Sequence, residues 1–196
     1  MRKILFIICW ALAGVGLYSC SLDEPSYGKT TSDNYYQKES DIEQALTGAY
    51  LQLRTTWNEY ALNHYFVGDC STDDALKGGG NDGDRAEVRD LSDFTIYTTN
   101  GEVGRRWEIL YRLINRCNDV IYYAPDAIGN EELLKRYANE AKALRAFGYY
   151  CLVTTFGEVP LITTPMQPAE ILQIPRSPLE KVYECIVNDL TDASAL

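Results

Sequence analysis

Tyr97 and Asn100 lie three residues apart in the polar run Asp93-Phe-Thr-Ile-Tyr-Thr-Thr-Asn100. A phenol ring offers a flat apolar face, and a side-chain amide offers donors and an acceptor. That mixture stacks on and hydrogen-bonds a sugar. Upstream, the adjacent carboxylates Asp73 and Asp74 are candidate acceptors for sugar hydroxyls. These four residues form the candidate ligand set, and the plainer reading of Tyr97 is a surface ring packed on its own loop. A carboxylate pair can also hydrolyse a glycosidic bond, but that needs side chains about 5 to 9.5 Å apart across the scissile bond. Neighbouring residues such as Asp73 and Asp74 seldom converge in that way, so no catalytic residue is assigned.

Other chemistry-bearing residues lead to less. His64 is the lone histidine, and no two-histidine metal site can be built around it. The run Gly78-Gly-Gly-Asn-Asp-Gly-Asp84 suggests calcium. With Gly83 at the invariant glycine of an EF-hand loop, Gly78 takes the first ligand position and Arg89 the last, so that loop fails and a Gly/Asp-rich tip is expected. Gly28-Lys29-Thr30 ends like a phosphate-binding loop, but Asp23 stands where its first glycine belongs. Cys70, Cys117, Cys151 and Cys185 form no Cys-x-x-Cys pair. Scattered cysteines in helices behave as small buried hydrophobes, so neither zinc nor a disulfide is expected. No cofactor is implied.

The chain must supply elements that hold these residues. Its 196 residues, 46% hydrophobic, suffice for a packed core. A net charge of −10 disfavours nucleic acid, whose phosphates call for Lys and Arg. Tyr outnumbers Phe by 15 to 5, which suits half-wet helix seams and polar binding surfaces.

Arg2 and Lys3 precede an apolar run from Ile4 to Leu17, too short to span a bilayer, which takes about 20 residues. The layout is that of a secretory signal over 1–19. Leu17-Tyr-Ser-Cys20 resembles the lipobox of bacterial lipoproteins, with Cys20 as the lipidated residue and Tyr18 as a departure from the usual pattern; ordinary signal cleavage is the alternative. Loss of residues 1–19 removes two positive charges, leaving 16 basic against 28 acidic side chains, or −12. Ser21-Leu-Asp-Glu-Pro25 opens a linker over 20–37. Acidic residues directly behind a lipidated cysteine resemble the signal that sends lipoproteins of the Bacteroidetes type to the outer face of the outer membrane.

Apolar residues at three-and-four spacing predict four helices. The first runs from Glu39 to Trp57, capped by Ser40 or a neighbour, with Ile42, Leu46, Ala49 and Leu53 on its stripe. The second runs from Glu102 to Tyr123, with Trp107, Leu110, Tyr111, Ile114 and Cys117, and stops before Pro125. A third spans Asn130 to Phe156, with Leu133, Tyr137, Ala141, Leu144, Phe147 and Cys151, and ends at Gly157. The fourth starts after Pro178 with Leu179, Val182, Tyr183, Ile186 and Leu190. Small residues (Ala49, Ala141, Gly148, Ala193) facing large aromatics (Tyr50, Tyr111, Phe147, Tyr183) predict an all-α fold of tetratricopeptide-like antiparallel helix pairs. One long irregular loop, Val67 to Gly104, interrupts it. Period-two alternation over Asp93–Thr99 predicts a short extended stretch, with Phe94 and Ile96 inward and Tyr97 outward.

Three stretches resemble a known family. Arg106-Trp-Glu-Ile-Leu-Tyr-Arg-Leu-Ile-Asn-Arg-Cys-Asn118 looks like the "W..lY..I...N" helix of the SusD/RagB family. Glu140-Ala-Lys-Ala-Leu-Arg-Ala-Phe-Gly-Tyr-Tyr150, through Phe156-Gly-Glu-Val-Pro-Leu-Ile162, resembles its long helix and "GdVPL" turn. Pro175-Arg-Ser-Pro-Leu-Glu-Lys-Val-Tyr-Glu-Cys-Ile-Val-Asn-Asp-Leu190 is similar to its next helix. The opening Glu24-Pro25 and the helix from Ala45 to Leu53 match its start as well, so the resemblance covers the mature chain in order, making 38–196 a SusD-like N-terminal helical domain that ends inside its last helix.

The resemblance implies a lipid-anchored protein on the outer face of the outer membrane. Such a protein binds glycans, or in some members peptides, without catalysis, and forms a lid over a SusC-like TonB-dependent transporter. Members are longer than this chain and carry a large C-terminal portion. The resemblance also places part of the ligand surface in the general region of 67–104. The alternative is a helical-repeat interaction module that docks a membrane partner and has no small-molecule site in this portion.

Overall fold

The computed structural model describes residues 35–53, 64–81 and 83–195. The expected signal over 1–19, Cys20, most of the 20–37 linker and Trp57 lie outside the described residues. Among the described residues seven helices follow in order: α1 Glu39–Tyr50, α2 His64–Val67, α3 Ala86–Ser92, α4 Gly101–Tyr123, α5 Glu131–Phe156, α6 Pro168–Ile171 and α7 Leu179–Ser194. Among the described residues no strand forms, and only two isolated bridges occur, Lys38 with Ile128 and Val159 with Ser177. The all-α expectation holds.

Two long helices form the frame. Asn100 caps α4 and Asn130 caps α5, each accepting from two backbone N–H groups of the first turn. Such caps satisfy donors that a helix start leaves orphaned. Gly157 closes α5 at φ +71, a left-handed position that suits glycine. The pairings Arg106 with Thr155 and Asn118 with Arg145 run in opposite senses along the chain, so α4 and α5 are antiparallel. Lys142 with Asp192 and Arg145 with Asp189 show the same for α5 and α7. α1 runs alongside the start of α5, since Glu39 accepts from Asn130 N and Tyr50 donates to Glu140.

The core divides along these helices. One cluster gathers Leu110, Ile114, Tyr149, Leu152 and Val182, and another gathers Ile42, Leu46, Leu113, Val120 and Tyr137. Each such Leu, Ile or Val contributes about 1.5–3 kcal/mol by leaving water. A Cβ on Gly148 would lie 3.0 Å from Ile114 Cγ1, so glycine there lets α5 approach α4 closely.

Several expected core positions are displaced. Tyr50, Phe147, Tyr183 and Leu190 are exposed, while Tyr149, Leu134 and Leu152 are buried. On α5 the expected Tyr137, Ala141, Leu144 and Cys151 are buried, and the buried face is wider than one stripe because α1, α4 and α7 all pack on this helix. On α7 the buried face is Val182, Ile186 and Asp189, the last held by a buried arginine. α1 also starts one residue earlier than its expected cap: Lys38 is the cap, and its N–H donates to Asp41.

Candidate functional site

The 67–104 segment is more structured than the expected loop. Phe66, Cys70, Val88 and Leu91 form a small core that joins α2, the 3-10 turn Asp69–Ser71 and α3. The Arg85 guanidinium lies 5.0 Å from the Phe66 ring centroid and 3.3 Å from a carboxylate oxygen of buried Glu102. Ala86–Ser92 is too short to show a helical period in the chain, and its apolar Val88 and Leu91 are buried by residues of α2, the 3-10 turn and α4.

A clamp ties α3 to the start of α4. Asn100 Oδ1 accepts from Glu102 N (3.1 Å) and Val103 N (3.2 Å), and its Nδ2 donates to Glu87 O (2.9 Å). Glu87 Oε1 accepts from Gly101 N (3.0 Å). Asn100 is buried and its amide is committed to the cap. Its position therefore holds the preceding segment in place.

The 93–99 segment is a turn, not the expected extended stretch. Thr95 N bonds back to Asp90 O and Phe94 sits at φ +55, so the alternation of faces is lost. Phe94 (68%), Ile96 (49%) and Tyr97 (67%) are all exposed, which corrects the inward placement of Phe94 and Ile96. A left-handed aromatic residue held open to solvent marks backbone strain of about 1–3 kcal/mol, and such strain concentrates at functional sites. Phe94 is thus a candidate that pattern alone did not single out. Its signal is a backbone angle, which no residue type announces. Ile96 stands on the rim of a cleft of about 510 Å³ that also takes in Leu91, Val103 and Phe156.

Asp73 and Asp74 are exposed on a separate turn. The glycine tip beyond them folds back on Asp84, which accepts from Gly80 N, and Gly79 adopts φ +115 where a Cβ would meet Asp84 Oδ2 at 2.4 Å. Beneath it, a cleft of about 270 Å³ is bordered by Tyr65, Lys77, Asp84 and Arg85. The structure thus links Asn100 to the Tyr97 segment, and leaves Asp73 and Asp74 on their own turn.

The Gly-Glu-Val-Pro-Leu stretch and the residues after it are braced by side chains of the Trp107 helix and α5. Tyr111 Oη donates to Pro160 O (2.7 Å), Asn118 Nδ2 to Ile162 O (2.9 Å), and Arg145 Nη1 to Asn118 Oδ1 and Thr163 O (2.9 Å each). Arg145 also forms two bonds to Asp189, at 2.8 and 2.7 Å. Burial alone lowers its pKa, and the Asp189 carboxylate more than offsets this, so the guanidinium stays charged. Burial pushes the Cys117 thiol up to about 12 and the Cys185 thiol to about 11. Neither is a thiolate nucleophile near neutral pH.

Residues 21–196 match the SusD-like family model described as "starch-binding associating with outer membrane". SusD-like protein P2 of Formosa agariphila is 30% identical over 193 residues, covering 96% of this chain and 36% of that protein. SusD-like protein P25 of the same organism is 26% identical, covering 96% and 37%. Among solved structures, a laminarin-binding SusD-like protein superposes with a TM-score of 0.72 at 31% identity, over 81% of this chain and 34% of that one. Surface glycan-binding protein A from Bacteroides fluxus gives 0.68 at 29%, over 80% and 33%. The chain spans little more than a third of the curated relatives it matches.

Proposed function

The chain belongs to the SusD/RagB family, and on that premise we propose that it captures a glycan at the cell surface and passes it to a SusC-like TonB-dependent transporter, without catalysis. It is a lipoprotein anchored in the outer membrane through Cys20, after loss of residues 1–19. Four relatives and neighbours named for SusD-likeness, laminarin or glycan binding support this reading.

The observation that carries it is the exposed pair Phe94 and Tyr97 on a turn clamped by Asn100 and Glu87. Flat aromatic faces held on a rigid segment bind sugars with little ordering cost. Tyr97 and Phe94 stack on the ligand, with Asp73 or Asp74 accepting from its hydroxyls. Asn100 acts by holding the turn.

Electrophoresis of the chain through gels containing soluble laminarin, starch or xylan tests this. Retention in at least one gel, weakened by Tyr97→Ala, is the expected result; migration unaffected by every polysaccharide overturns it. Labelling with a palmitate analogue tests the anchor, and label that persists in Cys20→Ser would refute it.

The exposed apolar face of Tyr183, Val187 and Leu190 on α7 favours a second reading, a module that docks a protein partner. Only the first reading predicts gel retention.

A further inference from the structure

A second surface has the makings of a sugar site, on the far part of α4 from the Tyr97 turn. Trp107, Tyr111, Asn115 and Tyr122 follow one another at near-helical spacing and line one side of a trough. Its other side is the 160–172 segment. An apolar half of about 390 Å³ runs past Trp107, Tyr111 and Leu172. A polar half of about 510 Å³ runs past Asp119, Tyr122 and Glu170. Asn115 borders both, so the halves adjoin there. From Trp107 to Tyr122 the helix rises about 22 Å, a length for an oligomer rather than a single ring.

The trough is preformed. Its loop wall is fixed by the bonds that Tyr111, Asn118 and Arg145 make to the carbonyls of Pro160, Ile162 and Thr163. Tyr149 Oη, fully buried, donates to Ile162 O and accepts from Ile162 N, at 2.7 Å each. Inside, polar groups stand ready. The Asn115 side chain is exposed and, among the described residues, has no hydrogen-bond partner. Asp119 accepts one bond, from Tyr36 Oη at 3.2 Å, and a carboxylate has room for more. The Tyr122 ring is 56% exposed.

The chemistry selects the occupant. Trp107 and Tyr111 pack on each other and Trp107 also meets Phe156 edge-on, so both rings are half-buried and border the trough with the part that stays open, while an amide and two carboxylates offer bonds to hydroxyls. Asp119 and Glu170 repel sulfated or uronic chains, and Arg116 is turned away to the Gly48 carbonyl on α1. We propose that this trough is a second carbohydrate site, distinct from the Phe94/Tyr97 turn, that takes a neutral hexose oligosaccharide. The proposal rests on the glycan-binding reading above.

The experiment titrates the chain with laminarihexaose, maltohexaose and cellohexaose, following calorimetry and tryptophan fluorescence, with Trp107→Phe identifying the Trp107 signal. Tyr97→Ala is expected to keep a Trp107-dependent response to at least one hexaose. The pair Asn115→Ala/Tyr122→Ala is expected to weaken that response about tenfold, through loss of one hydrogen bond and one stacking face. Circular dichroism and the melting temperature check that these surface variants fold. Sulfated oligosaccharides should give no Trp107 response.

If Asn115→Ala/Tyr122→Ala changes nothing while Tyr97→Ala abolishes all binding, the second site is wrong and the proposed function stands. A Trp107 response stronger for sulfated than for neutral chains would also overturn it. Binding of no oligosaccharide in any variant, together with free migration through every polysaccharide gel, removes both.

Discussion

Replacing Asp189 by alanine leaves the Arg145 guanidinium charged, buried and short of its two strongest bonds. The side chains of this pair are 8% and 6% exposed, and they meet through contacts of 2.8 and 2.7 Å. Breaking a buried pair from one side costs about 3–5 kcal/mol, because the remaining charge is left without compensation. Against a total stability of about 5–15 kcal/mol, that is a large fraction. Urea unfolding followed by circular dichroism measures it. With a slope of about 2 kcal/mol/M, a loss of about 4 kcal/mol lowers the midpoint by about 2 M. Arg145→Met/Asp189→Leu should recover part of this loss. It cannot recover all of it, since Asn118 Oδ1 and Thr163 O lose the donor that Arg145 Nη1 supplies. If Asp189→Ala lowers stability by less than about 1 kcal/mol, the pair is not the desolvated anchor described here, and the rigidity ascribed to the 160–163 wall loses its basis.

Gly148→Ala places a methyl 3.0 Å from Ile114 Cγ1 and 3.5 Å from Leu113 Cδ2, both side chains nearly fully buried. Overpacking of about 1–3 kcal/mol outweighs the helix-propensity gain of about 1 kcal/mol, so thermal melting should show a net loss, and an unchanged melting temperature would contradict it. Phe94→Gly relieves the left-handed backbone at φ +55 and should raise stability by up to about 1 kcal/mol while weakening retention in polysaccharide gels. A destabilised variant, or one retained as well as the parent, counts against a strained binding residue. Burial raises the pKa of Asp119, outweighing the bond from Tyr36 and the charge of Arg116, which lower it. The folded state therefore holds that proton more tightly, so stability is full below the usual carboxylate pKa and declines as pH rises through the raised value. Asp119→Asn keeps an acceptor for Tyr36 and should melt increasingly above the parent from pH 4 towards pH 7; a constant difference would sink this account.

Helix periodicity made the frame legible in the chain alone. The expected second and third helices, Glu102–Tyr123 and Asn130–Phe156, match α4 and α5 to within a residue at each end. Their signals are local: an asparagine cap, a three-and-four stripe, a proline or glycine stop. Three motifs in order were likewise enough to identify the family, because they carry identities and spacing that need no coordinates.

The faces of these helices were decided by their neighbours. Phe147 and Tyr149 are both aromatic and two residues apart, and nothing in their types says which is buried. Tyr149 is, because its hydroxyl finds the backbone of Ile162, which tertiary folding alone brings alongside. Arg145 and Asp189 are far apart in sequence, and their union depends on α5 and α7 running antiparallel. The candidate site shows the same division. The amide that singles out Asn100 in the chain is engaged, in the fold, by Glu87 and by the helix start that Asn100 caps. Phe94 was assigned inward by a period of two, and a left-handed backbone turned it out. Composition and spacing thus determined the helical class, the family and the long helices, since those depend on neighbours along the chain. Side-chain exposure, the buried ion pair and the trough on α4 depend on which elements meet in space, and only the tertiary structure decided them.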